Sequence, residues 1–327
     1  MKVLIVRFSS IGDIVLTTPI IRCMAKQGIE VHYLTRSVYR QLLEANPYLK
    51  KIHCLKDRLR EIMPTLRNEK FDHIIDLHKN LRSARVRLGI GVKSFTFDKI
   101  NFQKWLAVNL KINILPKIHI VDRYFQAVKP LGIFNDGKGL DYFLPPKHSD
   151  KVPFLAGDGP YICIAIGGAH NTKKLPWERL RDLCRLSMPI ILIGGKEDEE
   201  TGNRIATGLD SVSNLCGKLD FHQSAATIKH SSVVVSHDTG MMHIAAALQK
   251  PIISIWGNTI PGFGMYPYFP DSSEIASYIA EVDGLRCRPC SKIGYSSCPK
   301  GHFRCMQDQD IPYIRQKIAE LSKIQTN

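Results

Sequence analysis

The chain has 327 residues, 44% of them hydrophobic and 23% charged, enough for two domains that each bury a core of their own. No run of eighteen apolar residues occurs, which argues against a membrane-spanning helix, and no basic leader with a long apolar stretch and small-residue cleavage site opens it, so no secretory signal is expected. The formal charge of +15 is uneven: residues 1–150 carry 26 Lys+Arg against 13 Asp+Glu (net +13), residues 151–327 carry 19 against 17 (net +2). The first half is therefore expected to meet something anionic: nucleic acid, an acidic membrane surface or a phosphorylated acceptor. Nine cysteines, several isolated in apolar segments such as Cys163 and Cys184, fit a reducing cytoplasm better than a disulfide scaffold.

In chain order, Val3 to Phe8, Glu30 to Leu34, Lys51 to Leu55 and His73 to Leu77 read as buried strands separated by stretches of helical length. Lys147 to Pro160, with Pro153, Gly157, Gly159 and Pro160, reads as a linker. A second series follows in Tyr161 to Ile166, Pro189 to Ile193, Ser213 to Leu215, Val233 to Ser236 and Ile252 to Trp256, and Ile311 to Ile324 has the pattern of an amphipathic helix. Alternating β and α segments predict parallel sheets wrapped by helices, here an α/β chain of two doubly wound Rossmann-like domains, 1–155 and 156–327, facing a central cleft. Ligands in such sheets bind beyond the carboxyl ends of strands, so the strand-to-helix turns are where chemistry is sought.

Four of those turns are unusual. The first, Ser9-Ser10-Ile11-Gly12-Asp13, places a carboxylate just before a helix expected from Thr17 onward. Asp13 is there either to cap that helix or to act on a ligand. In "SHDTGMMHIAAAL" a strand runs into Asp238-Thr239-Gly240 and a helix carrying His243. Gly240 admits close approach of a ligand, and the helix N-terminus offers unpaired N–H donors and a positive dipole end suited to phosphate. In "IGGAHNTKKLPWERL" Thr172, Lys173 and Lys174 precede Pro176 at a helix start, a hydroxyl and two ammonium groups suited to a diphosphate. In "LIGGKEDEETGNRI" acidic residues follow a glycine pair, where one glutamate can accept ribose hydroxyls or simply favour the helix dipole.

These turns together resemble glycosyltransferase family 9, the ADP-heptose:lipopolysaccharide heptosyltransferases of GT-B architecture. The resemblance spans most of the chain through "VRFSSIGDIVLTTP", "IDLHKNLRS", "KKLP", "GGKEDEE", "DTGMMHIAAAL" and "CRPCSKIGYSSCPKGHFRC". It implies an inverting transfer of heptose from ADP-heptose to a hydroxyl of the lipopolysaccharide inner core, without cofactor or catalytic metal. By the same resemblance Asp13 is the catalytic base, Thr239, Gly240 and His243 hold phosphate, and Asp238 contacts the sugar. Lys173 is favoured over Lys174 as the phosphate lysine, beside Thr172. Leu175 stands where the family often has tryptophan. Glu199 is matched to the ribose, with Glu197, Asp198 and Glu200 crowding the assignment, and adenine is expected near Gly217 and Lys218.

Acceptor contacts are expected from Ser10, Gly12, Lys79 and Arg82, with Arg58, Arg60, Arg85 and Arg87 as further cations for the carboxylates and phosphates of a lipid A-linked inner-core acceptor. That acceptor predicts a cytoplasmic enzyme in peripheral contact with the inner membrane, the last helix packing back toward the first domain. Cys287, Cys290, Cys298 and Cys305 have C-x2-C-x7-C-x6-C spacing, which leaves a structural zinc site or plain packing open. A dinucleotide oxidoreductase would need G-x-G-x-x-G after the first strand, which is absent, and no nucleic-acid reader module is recognisable, so no nucleic-acid partner is expected. Transfer from another nucleotide sugar is the competing reading.

Overall fold

In the computed structural model of the chain, the described residues are 1–149 and 159–324. Most of the expected linker, and the expected domain boundary at 155, lie outside them. The chain groups into two compact units, one of Met1–Lys99, Ile118–Phe143 and Pro270–Ser272, the other of Ile100–Lys117, Leu144–Phe269 and Ser273–Asn327. Ile100–Lys117 thus joins the second unit although it precedes the linker in sequence.

The first unit is built on β1 (Lys2–Val6), β2 (Glu30–Arg36), β3 (Lys51–Leu55), β4 (His73–Asp76) and β5 (Ser94–Thr96), all parallel, in the order β3-β2-β1-β4-β5. Around it lie α1 (Ile11–Val15), α2 (Thr18–Lys26), α3 (Leu59–Asn68), α4 (Leu81–Ile90) and, after an excursion through α5 (Asn101–Trp105) in the other unit, α6 (Ile120–Val128). β1 is central because Val3, Leu4, Ile5 and Val6 are all fully buried; a parallel strand covered on both faces needs an unbroken apolar run. α4 starts sharply because Asn80 Oδ1 accepts the Ser83 N–H at 2.9 Å while Ser83 Oγ accepts the Asn80 N–H at 2.9 Å.

After α7 (Pro146–Ser149), the second unit carries β6 (Ile162–Ala165), α8 (Trp177–Leu183), β7 (Ile190–Ile193), α9 (Glu199–Ala206), β8 (Val212–Asn214), α10 (Phe221–His230), β9 (Val233–His237), α11 (Gly240–Ala247), β10 (Ile252–Trp256), β11 (Ser277–Glu281), α12 (Arg304–Gln307) and α13 (Ile311–Ile324). Its strands are parallel in the order β11-β10-β9-β6-β7-β8. Ile311, Ile314, Ile318 and Leu321, spaced three or four apart, give α13 one apolar stripe, and that stripe enters the core of this second unit.

The α/β reading with two parallel sheets holds. β5 and β11 escape a periodicity reading because each is an edge strand, half-covered, without the unbroken apolar run of its neighbours. The expected loop at Ile11–Gly12–Asp13 is instead the first turn of α1, and Gly12 lies buried inside it.

Candidate active site

Each sheet reverses its winding at one point, between β1 and β4 in the first unit and between β6 and β9 in the second. At such a point the two following connections leave for opposite faces and open a crevice at the strand ends. The sequence-predicted residues are concentrated in the turns beside these two points.

In the first unit Val6 pairs with Asp76 at the ends of β1 and β4. Asp76 is fully buried and used up: it accepts the N–H groups of His78 (3.0 Å) and Lys79 (2.7 Å) and the Ser83 hydroxyl (2.8 Å), and it pairs with Arg87 Nε at 3.1 Å. It shapes the turn and anchors α4. Asp13 differs. As the third residue of α1 it reaches back to accept the Ser10 N–H (3.1 Å) and hydroxyl (2.8 Å), and its other oxygen meets Arg7 at 2.6 Å, yet its side chain stays 20% exposed. Cap and accessible carboxylate are one group here. Burial works to raise its pKa, but the Arg7 guanidinium and the two Ser10 donors outweigh it and hold the carboxyl below the usual carboxylate range.

Arg7 is the hub of this turn. Its guanidinium also donates to Ser9 O at 2.7 Å, to Leu77 O, and toward the Tyr124 hydroxyl at 3.3 Å, so it ties the ends of β1 and β4 to α6. Its positive charge is felt nearby. Burial, then Arg7 and Lys99, push His78 down to about 4, so the imidazole is neutral at pH 7. Burial and Arg7 likewise lower Lys99. Sequence reading passed over His78, Lys99 and Tyr124; the available signal was Arg7 itself, a cation breaking an apolar strand run, which must find partners when buried.

Of the expected acceptor cations, Lys79 donates to Phe97 O at 2.9 Å and Arg87 is held by Asp76. Arg82 and Arg85 line an open depression of about 550 Å³ with Ser9, His78, Asn80 and Leu81, and Arg82 lies 5.8 Å over the Phe8 ring. Among the described residues Arg58, Arg60, Arg82 and Arg85 have no carboxylate within ion-pair distance.

In the second unit the order β9-β6-β7-β8 sets four turns side by side. Lys173, after β6, donates to Asp238 Oδ2 at 2.5 Å and Asp238 O at 3.2 Å, across the switch point, and Thr259 donates to the same carboxylate at 2.8 Å. Lys174 turns the other way, to Asp198 beside β7 at 2.7 Å. The two lysines that sequence left in competition therefore serve different turns. A Cβ at Gly168 would come within 3.3 Å of Thr239 and 3.5 Å of Lys174, which is how closely these turns approach. Gly217, at φ +74°, lies beside Glu199: a Cβ there would be 3.6 Å from its carboxylate. Thr239 is the N-cap residue of α11, Gly240 its first residue, and His243, at the end of the first turn, is buried. His237 accepts the Leu175 N–H at 3.0 Å through Nε2, and burial pushes it down to about 4.

Thr172 is occupied by the fold. Its hydroxyl donates to Tyr295 O (3.1 Å) and accepts the Tyr295 N–H (2.8 Å). From the same cysteine-rich segment Arg288 donates to Gly257 O (2.6 Å) and Thr259 O (3.0 Å) and pairs with Glu281 at 2.8 Å. The segment thus fastens the turns after β6 and β10. Its cysteines are free thiols; burial, with Cys287 close by, pushes Cys290 up to about 11, and burial pushes Cys305 up to about 12.

Among the described residues, one group brings three ligating atoms within 4.8 Å of one another, and it is not this one but His32 on β2, His53 in the middle of β3 and Glu69 just after α3. There His32 bonds His53 at 3.0 Å and Glu30 at 2.9 Å, while Lys51 (2.6 Å) and Lys2 (3.3 Å) already neutralise Glu69.

Residues 59–284 match the family model of glycosyltransferase family 9 (heptosyltransferase). The chain belongs to that family and is a glycosyltransferase. It is 26% identical over 290 residues to the lipopolysaccharide heptosyltransferase 1 of Campylobacter coli, covering 79% of this chain and 84% of that one. Among solved structures it resembles the E. coli ADP-heptose LPS heptosyltransferase II (TM-score 0.76, 18% identity, 100% of both chains) and an E. coli heptosyltransferase solved with ADP (TM-score 0.69, 22% identity, 98% of this chain and 100% of that one). These likenesses show the GT-B fold.

Proposed function

We propose that the chain is a lipopolysaccharide heptosyltransferase that moves heptose from ADP-heptose to an inner-core hydroxyl with inversion at the anomeric carbon. One observation carries the mechanism: of the two carboxylates at the first unit's switch point, Asp76 is fully buried and saturated, whereas Asp13 is ionised and keeps an exposed edge. Asp13 takes the proton of the acceptor hydroxyl as that oxygen bonds to the anomeric carbon and ADP departs from the opposite face. Arg7 lowers the basicity of Asp13 but keeps it charged across the neutral range, and a hydroxyl attacking an oxocarbenium-like carbon grows acidic as its bond forms, so a modest base suffices.

On the donor side, Lys173, Thr239, Gly240 and His243 surround the diphosphate at the start of α11, where dipole and N–H groups offset the charge of the leaving ADP, while Lys174 holds the neighbouring turn through Asp198. Asp238 meets the sugar and Glu199 the ribose, with adenine beside Gly217 and Lys218. Thr172 positions the lysine turn through Tyr295. On the acceptor side Ser10, Gly12, Lys79 and Arg82 frame a lipid A-linked core, with Arg82 and Arg85 facing its anionic groups. The enzyme works from the cytoplasm in peripheral contact with the inner membrane; no helix among the described residues is long and apolar enough to cross one.

The test is ADP release from ADP-heptose with a panel of truncated core acceptors, preceded by thermal shifts with ADP, UDP and GDP. We expect stabilisation by ADP above the other two and release only with inner-core acceptors. A shift with UDP or GDP alone would assign another nucleotide sugar, and no release with any core acceptor would remove the lipopolysaccharide reading.

A further inference from the structure

The stretch from Lys99 to Val121 contains four lysines and no acidic residue. It is also the part of the described surface richest in exposed apolar side chains: Phe102 (66%), Trp105 (47%), Leu110 (54%), Ile112 (48%) and Ile114 (52%). Phe102 and Trp105, three apart on α5, share one face, and the chain continues through the helical turn Leu106–Leu110 into an irregular run; residues 109–114, from the end of that turn onward, are all exposed. Isolated exposed apolar residues need no explanation, but five within thirteen residues form a patch. The segment is nevertheless held in place. Ala107 is buried, and Lys111 Nζ donates to Val108 O (2.7 Å), Cys287 O (3.1 Å) and Pro289 O (2.7 Å), all within the second unit.

We propose that Phe102–Lys117 is the element that docks the enzyme on an anionic lipid surface. Charge selects that occupant. The segment carries three lysines, Lys104, Lys111 and Lys117, and no acidic residue, a net positive charge that suits phosphate headgroups, while an indole and a phenyl ring with three aliphatic side chains suit the headgroup–acyl boundary. The inference rests on the lipid-linked acceptor of the proposed function and names the surface by which the enzyme reaches it.

The experiment is co-sedimentation of the full chain with vesicles of phosphatidylethanolamine and phosphatidylglycerol (3:1), against vesicles of phosphatidylcholine alone. Binding is expected to the first, to weaken with salt, and to fall at least tenfold in Phe102→Ser/Trp105→Ser/Ile112→Ser/Ile114→Ser, whose side chains are all exposed. Phe134→Ser, equally exposed in the first unit, leaves binding unchanged. In a Trp177→Phe background Trp105 is the exposed indole, since Trp256 is buried, and its emission shifts to the blue with the anionic vesicles only. Turnover on a lipid-free core acceptor is unaltered in the fourfold variant, which separates loss of docking from failure of the transferase reading. Vesicle binding by that variant equal to wild type would overturn the proposal. So would an unshifted Trp105 emission, or a patch that instead mediates self-association in the absence of lipid.

Discussion

The two switch points solve opposite electrostatic problems. In the second unit both cations are already matched before any ligand arrives, Lys173 by Asp238 and Lys174 by Asp198. In the first unit Arg7 holds Asp13 and Arg87 holds Asp76, whereas the cations around the depression, Arg82 and Arg85, have no carboxylate within ion-pair distance among the described residues. A group that brings its own negative charge, such as a diphosphate, would meet in the second unit lysines already fixed in place and must compete with a carboxylate for them. An anionic acceptor, as proposed, would meet cations that no carboxylate among the described residues neutralises. The difference runs in the same direction as the net charges of the two halves, +13 for residues 1–150 and +2 for residues 151–327, and it separates what each turn does to binding from what it does to chemistry.

Asp13→Asn is the sharpest way to break that division. It keeps shape and most hydrogen bonding but removes the carboxylate proposed as the proton acceptor, so turnover should fall by about 10²–10⁴. The ADP-induced thermal shift, which reads the other unit, should stay within error. Near-normal turnover would remove Asp13 as the base.

Arg7→Met is expected next in size. It deletes the partner of Asp13 and the bonds to Ser9 O and Leu77 O, and because Asp13 retains some exposure the loss of unfolding free energy should be about 2–4 kcal/mol, toward the low end for a broken buried pair. The pH dependence carries a definite sign. Asp13 titrates lower in the folded chain than unfolded, so its contribution is present above the unfolded value and lost as pH falls through the folded one, in the region below about pH 4. Denaturation from pH 3 to 7 should therefore show wild type losing more stability on acidification than Arg7→Met. The acid limb of kcat should move upward in the variant, since burial is then opposed by the two Ser10 donors alone.

In the second unit Lys173→Met removes a charge-assisted contact of about 1.5–3 kcal/mol, so ADP affinity should weaken roughly 10- to 100-fold. Lys174→Met should act mainly through the Asp198 turn and show a smaller change in affinity with a larger change in stability. Titration calorimetry with ADP, set beside denaturation midpoints, distinguishes the two; equal affinity losses would mean that both lysines meet the diphosphate.

Much of this architecture was legible because central parallel strands must be apolar without interruption: Val3–Val6, Ile162–Ala165 and Val233–Val235 announce themselves, and the turns beyond them follow. The edge strands β5 and β11 did not, since half-covered strands lose that signature. Asp13, Lys173 and Asp238 were visible as local oddities. What pairs with what was not, because Arg7 reaches residues 70 and 117 positions away and Lys173 reaches one 65 away. Spacing along the chain cannot show that Lys173 and Lys174 diverge, or that Thr172 is spent on Tyr295.

The smallest effects are expected on α4, where neighbouring arginines differ only in what faces them. Arg82→Gln with Arg85→Gln removes two exposed cations without carboxylate partners, so unfolding free energy should stay within about 0.5 kcal/mol of wild type. KM for an anionic core acceptor should rise several-fold with kcat unchanged, and its dependence on ionic strength should flatten, because the lost attraction is the part that salt screens. Arg87→Gln, two residues further along the same helix, removes the cation beside the fully buried Asp76 and should cost stability of about 1–3 kcal/mol while leaving the salt dependence of KM intact. If Arg87→Gln instead flattened the salt dependence and the Arg82/Arg85 pair did not, the acceptor's charge would be read at the Asp76 turn and not in the depression.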